Sequence, residues 1–428
     1  MVEFLPLRGL CYSPKYAGPA VYAPPYDVIS QDQQRRYLAR SPYNIVRLIL
    51  GPSPDDQGWH AEAAATLEAW ASQGVLVRDP TPRFYGYRQH FTLPDGHRHV
   101  RTGCIGRMRL CAWREGVYRH EHTRTGPRID RLRLTRATRM NLSPIFGLYY
   151  DPSGELARWL EPPAQPALDF QDEEGVRQIV WPIEDAGTIA RIVQGMSNRE
   201  VVIADGHHRY ETALAYQAER RAAEGDPAQL RPYDYALIYL TASEDPGLCI
   251  LPSHRVVAGG PTIQSRRLLP ALERDFDLLP LRDSRSLSEP VAEAARGTVA
   301  IGLCLREAGS WVLRLKDLGI ARRAAKACGS DDLAELGVCV LQNLILEPHL
   351  GISPEVLATT ERVSYTIHET EARERVRSGK AQAAFILNPT TVEQVWQAAQ
   401  RGMTLPQKST YFYPKLLTGL VFNLLDEE

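Results

Sequence analysis

The sequence predicts an α+β (mixed α/β) fold, and three observations indicate it. Short apolar runs typical of strands alternate with helix-like segments, but without the regular strand–helix rhythm of a parallel α/β protein. Residues 83–118 alternate apolar and polar side chains around a Pro94-Asp95-Gly96 turn, which is typical of an antiparallel pair. Residues 201–225 pass from an apolar strand through a sharp turn into a helix.

Local patterns place further elements in the first half of the chain. Ser30 is a suitable N-cap for a helix that ends at Arg40. The other segments with helical composition are 61–74, 129–140 and 185–196. The segments that read as strands are 2–7, 44–50, 143–150, 233–241 and 248–251.

The second half begins after the linker at 258–262, whose Gly259-Gly260-Pro261 is typical of a domain boundary. Helices are predicted over 262–275 and 331–346, and strands near 298–305, 311–316 and 383–387. We therefore expect an N-terminal α+β domain over 1–258, a C-terminal α/β domain over 262–405, and a last segment, 406–428, that returns to the functional site.

Length and composition restrict the class of protein. The 428 residues suggest two or three domains at roughly 150 residues each. Hydrophobic residues make up 44% and charged residues 24%, and the net charge of −1 gives no overall attraction to nucleic acid. No apolar run has the length of a membrane span and the first residues lack a leader pattern, so we expect a cytoplasmic protein with no membrane partner.

The strongest candidate site is the segment Asp205-Gly206-His207-His208-Arg209, here called the cationic turn. The first N–H groups of a helix have no intrahelical acceptor and carry partial positive charge. Two imidazoles and a guanidinium at that point predict a phosphate site formed by Gly206, His207, His208 and Arg209. The alternative is a capped helix with a polar start.

Lys408 is the second candidate, predicted to reach the same anion or a phosphoryl group in transfer, with Ser409 and Thr410 beside it. The alternative for this segment is an exposed amphipathic strand. His120 and Glu121 form a third candidate, for contact with substrate or phosphate, and the alternative for this segment is a solvated loop. His120 and His122 share one strand face, as zinc ligands would, but the spacing shows no third ligand, so no metal site is predicted with certainty.

Asp27 follows Tyr26 in a loop stiffened by two prolines and is the candidate general base, although a turn-capping role is the alternative. Glu3 is a weaker candidate of the same kind. The remaining residues expected to line the same cleft are Asn141, Ser143, His254 and Arg255. The sequence contains no Gly-x-x-x-x-Gly-Lys-Ser/Thr loop and no Gly-x-Gly-x-x-Gly, so any nucleotide would bind at an unusual site.

These motifs resemble the bacterial and archaeal family called domain of unknown function 1015. The matching segments are Arg8-Gly9-Leu10, Ala23–Ser30, Ser41–Asn44, His120-Glu121, Asn141–Phe146, Ala204–Tyr210, Leu251–Arg255 and Pro406–Phe412. They extend over nearly the whole chain. The family name assigns no activity.

The cationic turn also resembles the phosphate signature of the ParB/sulfiredoxin superfamily, which includes the free-serine kinases. In sulfiredoxins a cysteine stands at the position of His207, so thiol chemistry is not implied here. The resemblance implies a ParB/sulfiredoxin-like nucleotide-binding core with an additional antiparallel sheet. It also implies ATP or ADP with Mg²⁺, and phosphoryl transfer to a small hydroxyl-bearing metabolite such as free serine.

In that chemistry Asp27, Glu3 or Asp205 would deprotonate the acceptor hydroxyl, and the sequence does not choose among them. A second hypothesis is a non-catalytic nucleotide-binding or ParB-like regulator, although the near-neutral charge disfavours contact with nucleic acid. A third is a metal-dependent hydrolase that uses His120 and His122.

Overall fold

The computed structural model describes residues 2–52, 58–121, 125–281, 286–327 and 334–426. Strands and helices interleave along the chain, so the predicted mixed α/β class is confirmed. The strands are β1 (Phe4–Leu5), β2 (Leu10–Tyr12), β3 (Leu76–Arg78), β4 (Phe84–Thr92), β5 (Arg98–Arg109), β6 (Val117–Tyr118), β7 (Met140–Asn141), β8 (Ile145–Tyr149), β9 (Leu168–Gln171), β10 (Arg177–Ile183), β11 (Val201–Asp205), β12 (Tyr235–Ala242), β13 (Cys249–Leu251), β14 (His254–Val257), β15 (Phe276–Leu281), β16 (Ala300–Leu305), β17 (Gly309–Leu315), β18 (Val363–Thr366), β19 (Ala383–Ile386), β20 (Tyr411–Tyr413) and β21 (Asn423–Leu424).

The α-helices are α1 (Gln31–Arg40), α2 (Val46–Ile49), α3 (Trp59–Ser72), α4 (Thr125–Thr138), α5 (Ala186–Met196), α6 (His207–Ala223), α7 (Ser265–Leu272), α8 (Ser288–Ala294), α9 (Leu318–Ala327), α10 (Gly337–Leu341), α11 (Glu347–Leu350), α12 (Pro354–Thr359), α13 (Glu369–Arg377) and α14 (Val392–Gln400). Among the residues described, no helix combines the length and the apolar character needed to traverse a membrane.

The chain divides into two compact units. The first comprises residues 1–119, 123–249 and 414–428, and the second comprises residues 120–122 and 250–413. The division after 249 precedes the expected linker at 258–262 because β14 pairs with β18 and β19, both strands of the second unit. The expected C-terminal segment is also divided, after residue 413.

In the first unit, the described residues form a nine-stranded sheet. Its order is β6-β11-β8-β12-β5-β4-β10-β9, and β1 pairs with β5. β11 lies antiparallel to β8 and parallel to β6, whereas β12 lies parallel to β8. The long pair β4–β5 confirms the antiparallel prediction for 83–118. The sheet therefore presents β11, the strand that leads into the cationic turn, between two neighbours.

In the second unit, the described residues form a six-stranded antiparallel sheet of order β15-β17-β16-β19-β14-β18. Alternate residues of β16 enter different cores: Ile301 and Leu303 pack in one, and Ala300 and Cys304 in the other. This alternation follows from the two-residue period of a strand. The strands β14, β16 and β19 are thus buried on both faces of the sheet, and β13 and β20 pair separately in a two-stranded sheet.

Two local predictions have different outcomes. Ser30 caps α1 in a capping box with Gln33, as expected. The prediction of a strand over 44–50 is wrong, because the segment forms the short helix α2. Asn44 is fully buried, and its Oδ1 accepts the Val46 N–H at 3.0 Å, which starts the helical turn. A short apolar run does not by itself distinguish a strand from a buried helix.

The predicted long helix over 331–346 is only partly present, and residues 331–333 lie outside the described part of the chain. From Gly337 the chain forms α10, then a π-helical stretch over Gln342–Leu346, then α11. Nearly all side chains of α10 and of the π-helical stretch are buried. Continuous burial removes the amphipathic period from which helix boundaries are predicted.

Candidate functional site

The cationic turn begins where β11 leaves the sheet. Val201, Val202 and Ile203 are completely buried, and the strand ends at Asp205. Gly206 has φ 91°, a left-handed conformation that a side chain disfavours, and α6 follows for 17 residues. A Cβ atom at Gly206 would lie 2.8 Å from Cζ of Arg209. Glycine therefore lets the guanidinium of Arg209 fold back over the turn.

The start of α6 is anchored in the core. Tyr210 is completely buried, and its hydroxyl donates to the carbonyl of Cys111 at 2.8 Å. Burial raises the pKa of Tyr210 well above its usual range, so the hydroxyl stays protonated. His207 is also buried, whereas His208 and Arg209 are half-buried. The first turn of the helix is thus a fixed support for the side chains at its surface.

Two cations meet at Asp205. Its Oδ1 accepts the N–H of Gly206 at 2.9 Å, while its Oδ2 lies 3.5 Å from Nη2 of Arg209 and 3.3 Å from Nζ of Lys415. Nη1 of Arg209 also donates to the carbonyl of Pro144. The side chains of Arg209 and Lys415 are 12% and 11% exposed. One carboxylate thus holds two positive charges beside a helix amino end.

Lys415 was not singled out by the sequence analysis, which chose Lys408 from the same segment. The spacing in sequence does not distinguish them. Lys415 lies in the first unit with the cationic turn, and Lys408 lies in the second. The prediction that Lys408 reaches the anion at the cationic turn remains a prediction.

Two pockets of the first unit adjoin this cluster. Arg209 lines one, here called the Arg209 pocket, together with Tyr26, Arg131, Asn141, Ser143 and Thr212. Lys415 lines the other, here called the Lys415 pocket, together with Tyr22, Phe170, Asp172, Glu173 and Glu174. The two cations that share Asp205 therefore face different surroundings: the described lining of the Arg209 pocket contains no carboxylate, whereas that of the Lys415 pocket contains three carboxylates and Arg40.

The predicted loop at Tyr26 forms a 3₁₀ turn, Tyr26–Val28. The guanidinium carbon of Arg131 lies 4.2 Å from the centre of the Tyr26 ring. Asp27 is exposed and is not among the residues that line the Arg209 pocket. Its role as a general base remains a prediction.

The other first-unit candidates have structural contacts. Glu3 lies 3.8 Å from Arg109 and accepts the hydroxyl of Tyr235 at 3.3 Å. Oδ1 of Asn141 accepts the N–H of Leu237 at 2.9 Å and a second hydrogen bond from Asn423. The hydroxyl of Ser143 lies 3.0 Å from that of Thr418. Asn141 therefore joins β7 to β12 and β21.

The second unit gathers the remaining candidates. His120 is completely buried and its Nε2 lies 3.0 Å from Oγ1 of Thr410, while Glu121 accepts the N–H of Lys408 at 3.1 Å. Lys408 has φ 55°, a left-handed conformation that is uncommon for a residue with a side chain. Ser409 donates its hydroxyl to the carbonyl of Pro406. These contacts stabilise a turn over 406–409.

His254 and Arg255 lie on β14 in the same unit. Nδ1 of His254 accepts the N–H of Leu387 at 3.2 Å, and burial lowers the pKa of His254 to about 4. Arg255 is 4% exposed and donates to the carbonyls of Ser253 and Gln407. Burial lowers the pKa of Arg255. Both side chains thus use their polar atoms on the backbone of the second unit.

A metal site would need several carboxylate, imidazole or thiolate side chains close together. Within the ranges that the structure describes, no group of three or more His, Cys, Asp or Glu side chains could hold a metal ion. His122, the partner of His120 in the zinc alternative, lies outside the described residues. Asp205, the carboxylate of the cationic turn, is engaged by Arg209 and Lys415. The described residues therefore do not supply a ready ligand set for Mg²⁺.

Comparisons with known proteins give one family and several distant structures. The model of the family described as "Protein of unknown function (DUF1015)" matches residues 4–338. No curated protein matches the chain.

Three solved structures illustrate the likeness. A conserved hypothetical protein from Pyrococcus furiosus is 13% identical, with 72% of this chain and 93% of that chain covered and a TM-score of 0.35. A free serine kinase in complex with AMP is 13% identical, with 70% and 84% covered and a TM-score of 0.34. SbnI from Staphylococcus aureus is 10% identical, with 72% and 84% covered and a TM-score of 0.34. Likeness at this level assigns neither a ligand nor an activity to the chain.

Proposed function

The chain belongs to the DUF1015 family of proteins of unknown function, and we propose that it is a nucleotide-dependent phosphotransferase. The nucleotide binds through its phosphates at the cationic turn, and the acceptor is a small hydroxyl-bearing metabolite. The observation that carries this proposal is the convergence of Arg209 and Lys415 on Asp205, beside the amino end of α6.

The position of the turn favours an anion for two reasons. The first N–H groups of a helix lack intrahelical acceptors, and the aligned peptide dipoles place partial positive charge at that end. The left-handed Gly206 keeps the approach to those groups clear of a side chain at that position. A phosphate placed there would accept hydrogen bonds from the backbone without requiring a Gly-rich loop.

The local charge supports the same conclusion. Arg209 and Lys415 together carry two positive charges, and Asp205 neutralises one of them. A polyphosphate would draw both cations from the carboxylate, because a guanidinium can bind phosphate through two parallel hydrogen bonds. The half-buried position of both side chains strengthens such contacts relative to those on an open surface.

The chemistry follows from these groups. The acceptor hydroxyl oxygen attacks the terminal phosphorus, a new P–O bond forms, and the bond between that phosphorus and the bridging oxygen breaks. The hydroxyl proton passes to a carboxylate, and the electron pair of the broken bond stays with the bridging oxygen of the leaving nucleoside diphosphate or monophosphate. Asp205 is the carboxylate closest to the proposed phosphates once Arg209 and Lys415 have turned away, and Asp27 and Glu3 remain alternatives.

Two parts of the hypothesis need a partner that the cluster does not itself provide. Lys408 is proposed to neutralise charge that develops on the phosphoryl group, as the sequence suggested. Mg²⁺, where it takes part, would be carried mainly by the phosphate oxygens, since the described carboxylates do not form a ligand set for it.

Titration calorimetry with ATP, ADP and CTP tests the binding step. Arg209→Ala and Lys415→Ala should each weaken nucleotide binding by about tenfold to a hundredfold, as expected for a lost hydrogen bond to a charged group. The matched control is Arg35→Ala, because Arg35 is also an arginine paired with an aspartate but is 75% exposed on α1. That control should leave the affinity unchanged.

Phosphoryl transfer is tested by incubating the protein with ATP or ADP and a pool of small hydroxy metabolites and recording ³¹P NMR spectra. A new phosphate monoester should form with the unchanged protein and not with Arg209→Ala. Binding without transfer to any acceptor would favour the second hypothesis, a non-catalytic nucleotide-binding regulator. Equal nucleotide binding by the unchanged protein and Arg209→Ala would contradict the site itself.

A further inference from the structure

The Arg209 pocket, which adjoins the cationic turn, is positively charged. It is formed within the first unit by α4, α6, the Tyr26 turn and the residues around β7. Arg131 and Arg209 both line it, and no Asp or Glu belongs to its described lining. Apolar side chains supply much of the remaining wall, including Ile49, Leu134 and Leu142. An apolar pocket with a few convergent polar groups is typical of a small-molecule site.

One polar group in this pocket has no partner. Thr212 lines the pocket from α6 and is 3% exposed, and its Oγ1 is buried with no hydrogen-bond partner among the described residues. The buried threonines of α4 differ, because Thr135 and Thr138 donate to the carbonyls of Arg131 and Leu134. Buried hydroxyls are normally hydrogen-bonded, so the unpaired hydroxyl of Thr212 points to a ligand atom.

The Arg131 guanidinium is a fixed part of the wall. Its Nε donates to Asp130 at 2.9 Å, and its Nη1 donates to the carbonyl of Ile49 at 2.7 Å. The rings of Tyr26 and Trp59 lie 4.2 Å and 5.3 Å from its guanidinium carbon. Nη2 also donates to Asp130, so three of the five N–H groups hold the guanidinium in place, and one N–H on each of Nη1 and Nη2 is left to donate to an anionic ligand group.

A positively charged ligand group would find no comparable partner in this pocket. Asp130 and Asp205, the carboxylates that contact the two lining arginines, are already engaged by Arg131 and by Arg209 with Lys415. Oδ1 of Asn141 already accepts two hydrogen bonds. An ammonium group taken from water into this pocket would therefore lose its hydration without an ion pair in return.

We propose that the Arg209 pocket binds the acceptor, and that the acceptor is a small hydroxy carboxylate without an ammonium group. The carboxylate faces the two guanidinium groups, a hydroxyl bonds with Thr212, and the hydroxyl to be phosphorylated lies toward Arg209 and the cationic turn. The role of this pocket as an acceptor site rests on the proposed phosphotransferase function, but binding of the hydroxy carboxylate can be tested without a nucleotide.

Glycerate and L-serine form a matched pair of probes, because they differ only where a hydroxyl of one replaces the ammonium of the other. Ligand-observed NMR and calorimetry with the full chain should give at least about tenfold tighter binding of one glycerate enantiomer than of L-serine. Equal binding of the two probes, tighter binding of serine, or no binding of glycerate at all would overturn the proposal.

Thr212→Val tests the site because it removes the hydroxyl and keeps the shape. It should weaken glycerate binding by about fivefold to tenfold, the loss expected for one hydrogen bond. The control Thr138→Val changes the same kind of residue outside the pocket lining and should leave glycerate binding unchanged. An unchanged affinity in Thr212→Val, with a native circular dichroism spectrum, would overturn the proposal.

The two proposals fail in different ways. If ATP and ADP do not bind but glycerate binds and depends on Thr212, the pocket assignment stands and the phosphotransferase hypothesis fails. If nucleotide binding is observed and depends on Arg209, but glycerate does not bind in the presence or absence of nucleotide, only the pocket assignment fails.

Discussion

Two arginines, each beside a histidine in the sequence, have opposite roles in the two units. Arg209, beside His208, shares a carboxylate with Lys415 and lines a pocket. Arg255, beside His254, is buried, and its hydrogen bonds go to the carbonyls of Ser253 and Gln407. Within the described residues Arg255 has no carboxylate in ion-pair contact. The same residue types thus form a candidate ligand site in one unit and an internal brace in the other.

The difference shows what a cationic cluster needs in order to bind a ligand. Arg209 and Lys415 share a charge partner that a ligand can replace, since a phosphate can take the place of Asp205, and Arg209 has in addition one backbone acceptor, the carbonyl of Pro144. Arg255 is held by two backbone carbonyls, and breaking those bonds would leave the carbonyls without a charged donor. Four experiments can sharpen or break this comparison.

The largest expected effect is on stability and concerns His254. Its pKa in the folded protein is about 4, against an ordinary value of 6.5, so the unfolded chain binds the extra proton between these values. The stability that the neutral imidazole contributes is complete above pH 6.5 and is lost as the pH falls to 4, by about 3 kcal/mol.

Urea denaturation from pH 4 to pH 7 measures this effect. In His254→Asn most of the loss of stability between pH 6.5 and pH 4 should disappear, because the amide oxygen can still accept the N–H of Leu387 but does not titrate. A pH dependence identical in both proteins would show that His254 is not buried in the neutral form.

The second effect separates the two arginines directly. Arg255→Met should lower the free energy of unfolding by about 2 kcal/mol, since two carbonyls lose charged donors, and should leave nucleotide affinity unchanged. Arg209→Met should lower the free energy of unfolding by about 1 kcal/mol, because one carbonyl, that of Pro144, loses a charged donor while Lys415 still neutralises Asp205, and it should weaken nucleotide binding. Denaturation and calorimetry on both variants test this prediction. A reversed pattern would contradict the comparison between the two arginines.

The third effect concerns the backbone of the cationic turn. Gly206→Ala places a Cβ in a left-handed conformation and against Arg209, so the protein should lose about 1–2 kcal/mol of stability. Nucleotide affinity should fall as well, because the guanidinium is displaced. Gly225→Ala is a suitable control, since Gly225 also has positive φ but a Cβ there would meet nothing within 4 Å. Equal affinities in the two variants would argue against a role for the Gly206 turn.

The smallest effect concerns the unpaired hydroxyl. Thr212→Val should raise the free energy of unfolding in the absence of ligand by about 1 kcal/mol, because a buried hydroxyl without a partner is removed. Thr138→Val should lower it by a similar amount, because its hydroxyl donates to Leu134. Thermal unfolding of both variants checks the sign, and a destabilised Thr212→Val would mean that its hydroxyl is satisfied.

Several sequence predictions succeeded because their causes are local. The capping box at Ser30 involves residues three positions apart, and the β4–β5 pair is joined by a short turn. The strand, glycine turn and helix over 201–223 follow from apolar character, a left-handed residue and helical spacing within one segment. The prediction over 44–50 failed because a buried side chain, Asn44, decided between two structures that the apolar run allows equally.

The sequence by itself determined the backbone of the cationic turn, since the strand, the left-handed Gly206 and the helix that follows are all specified within one segment. Only the tertiary structure decided which lysine joins it, because Lys415 lies 210 positions from Asp205 and lysines only seven positions apart belong to different units. The same holds for Thr212, whose unpaired hydroxyl is a property of the surrounding fold. Contacts between distant segments depend on how the sheets and helices pack, and no local pattern of residues records that packing.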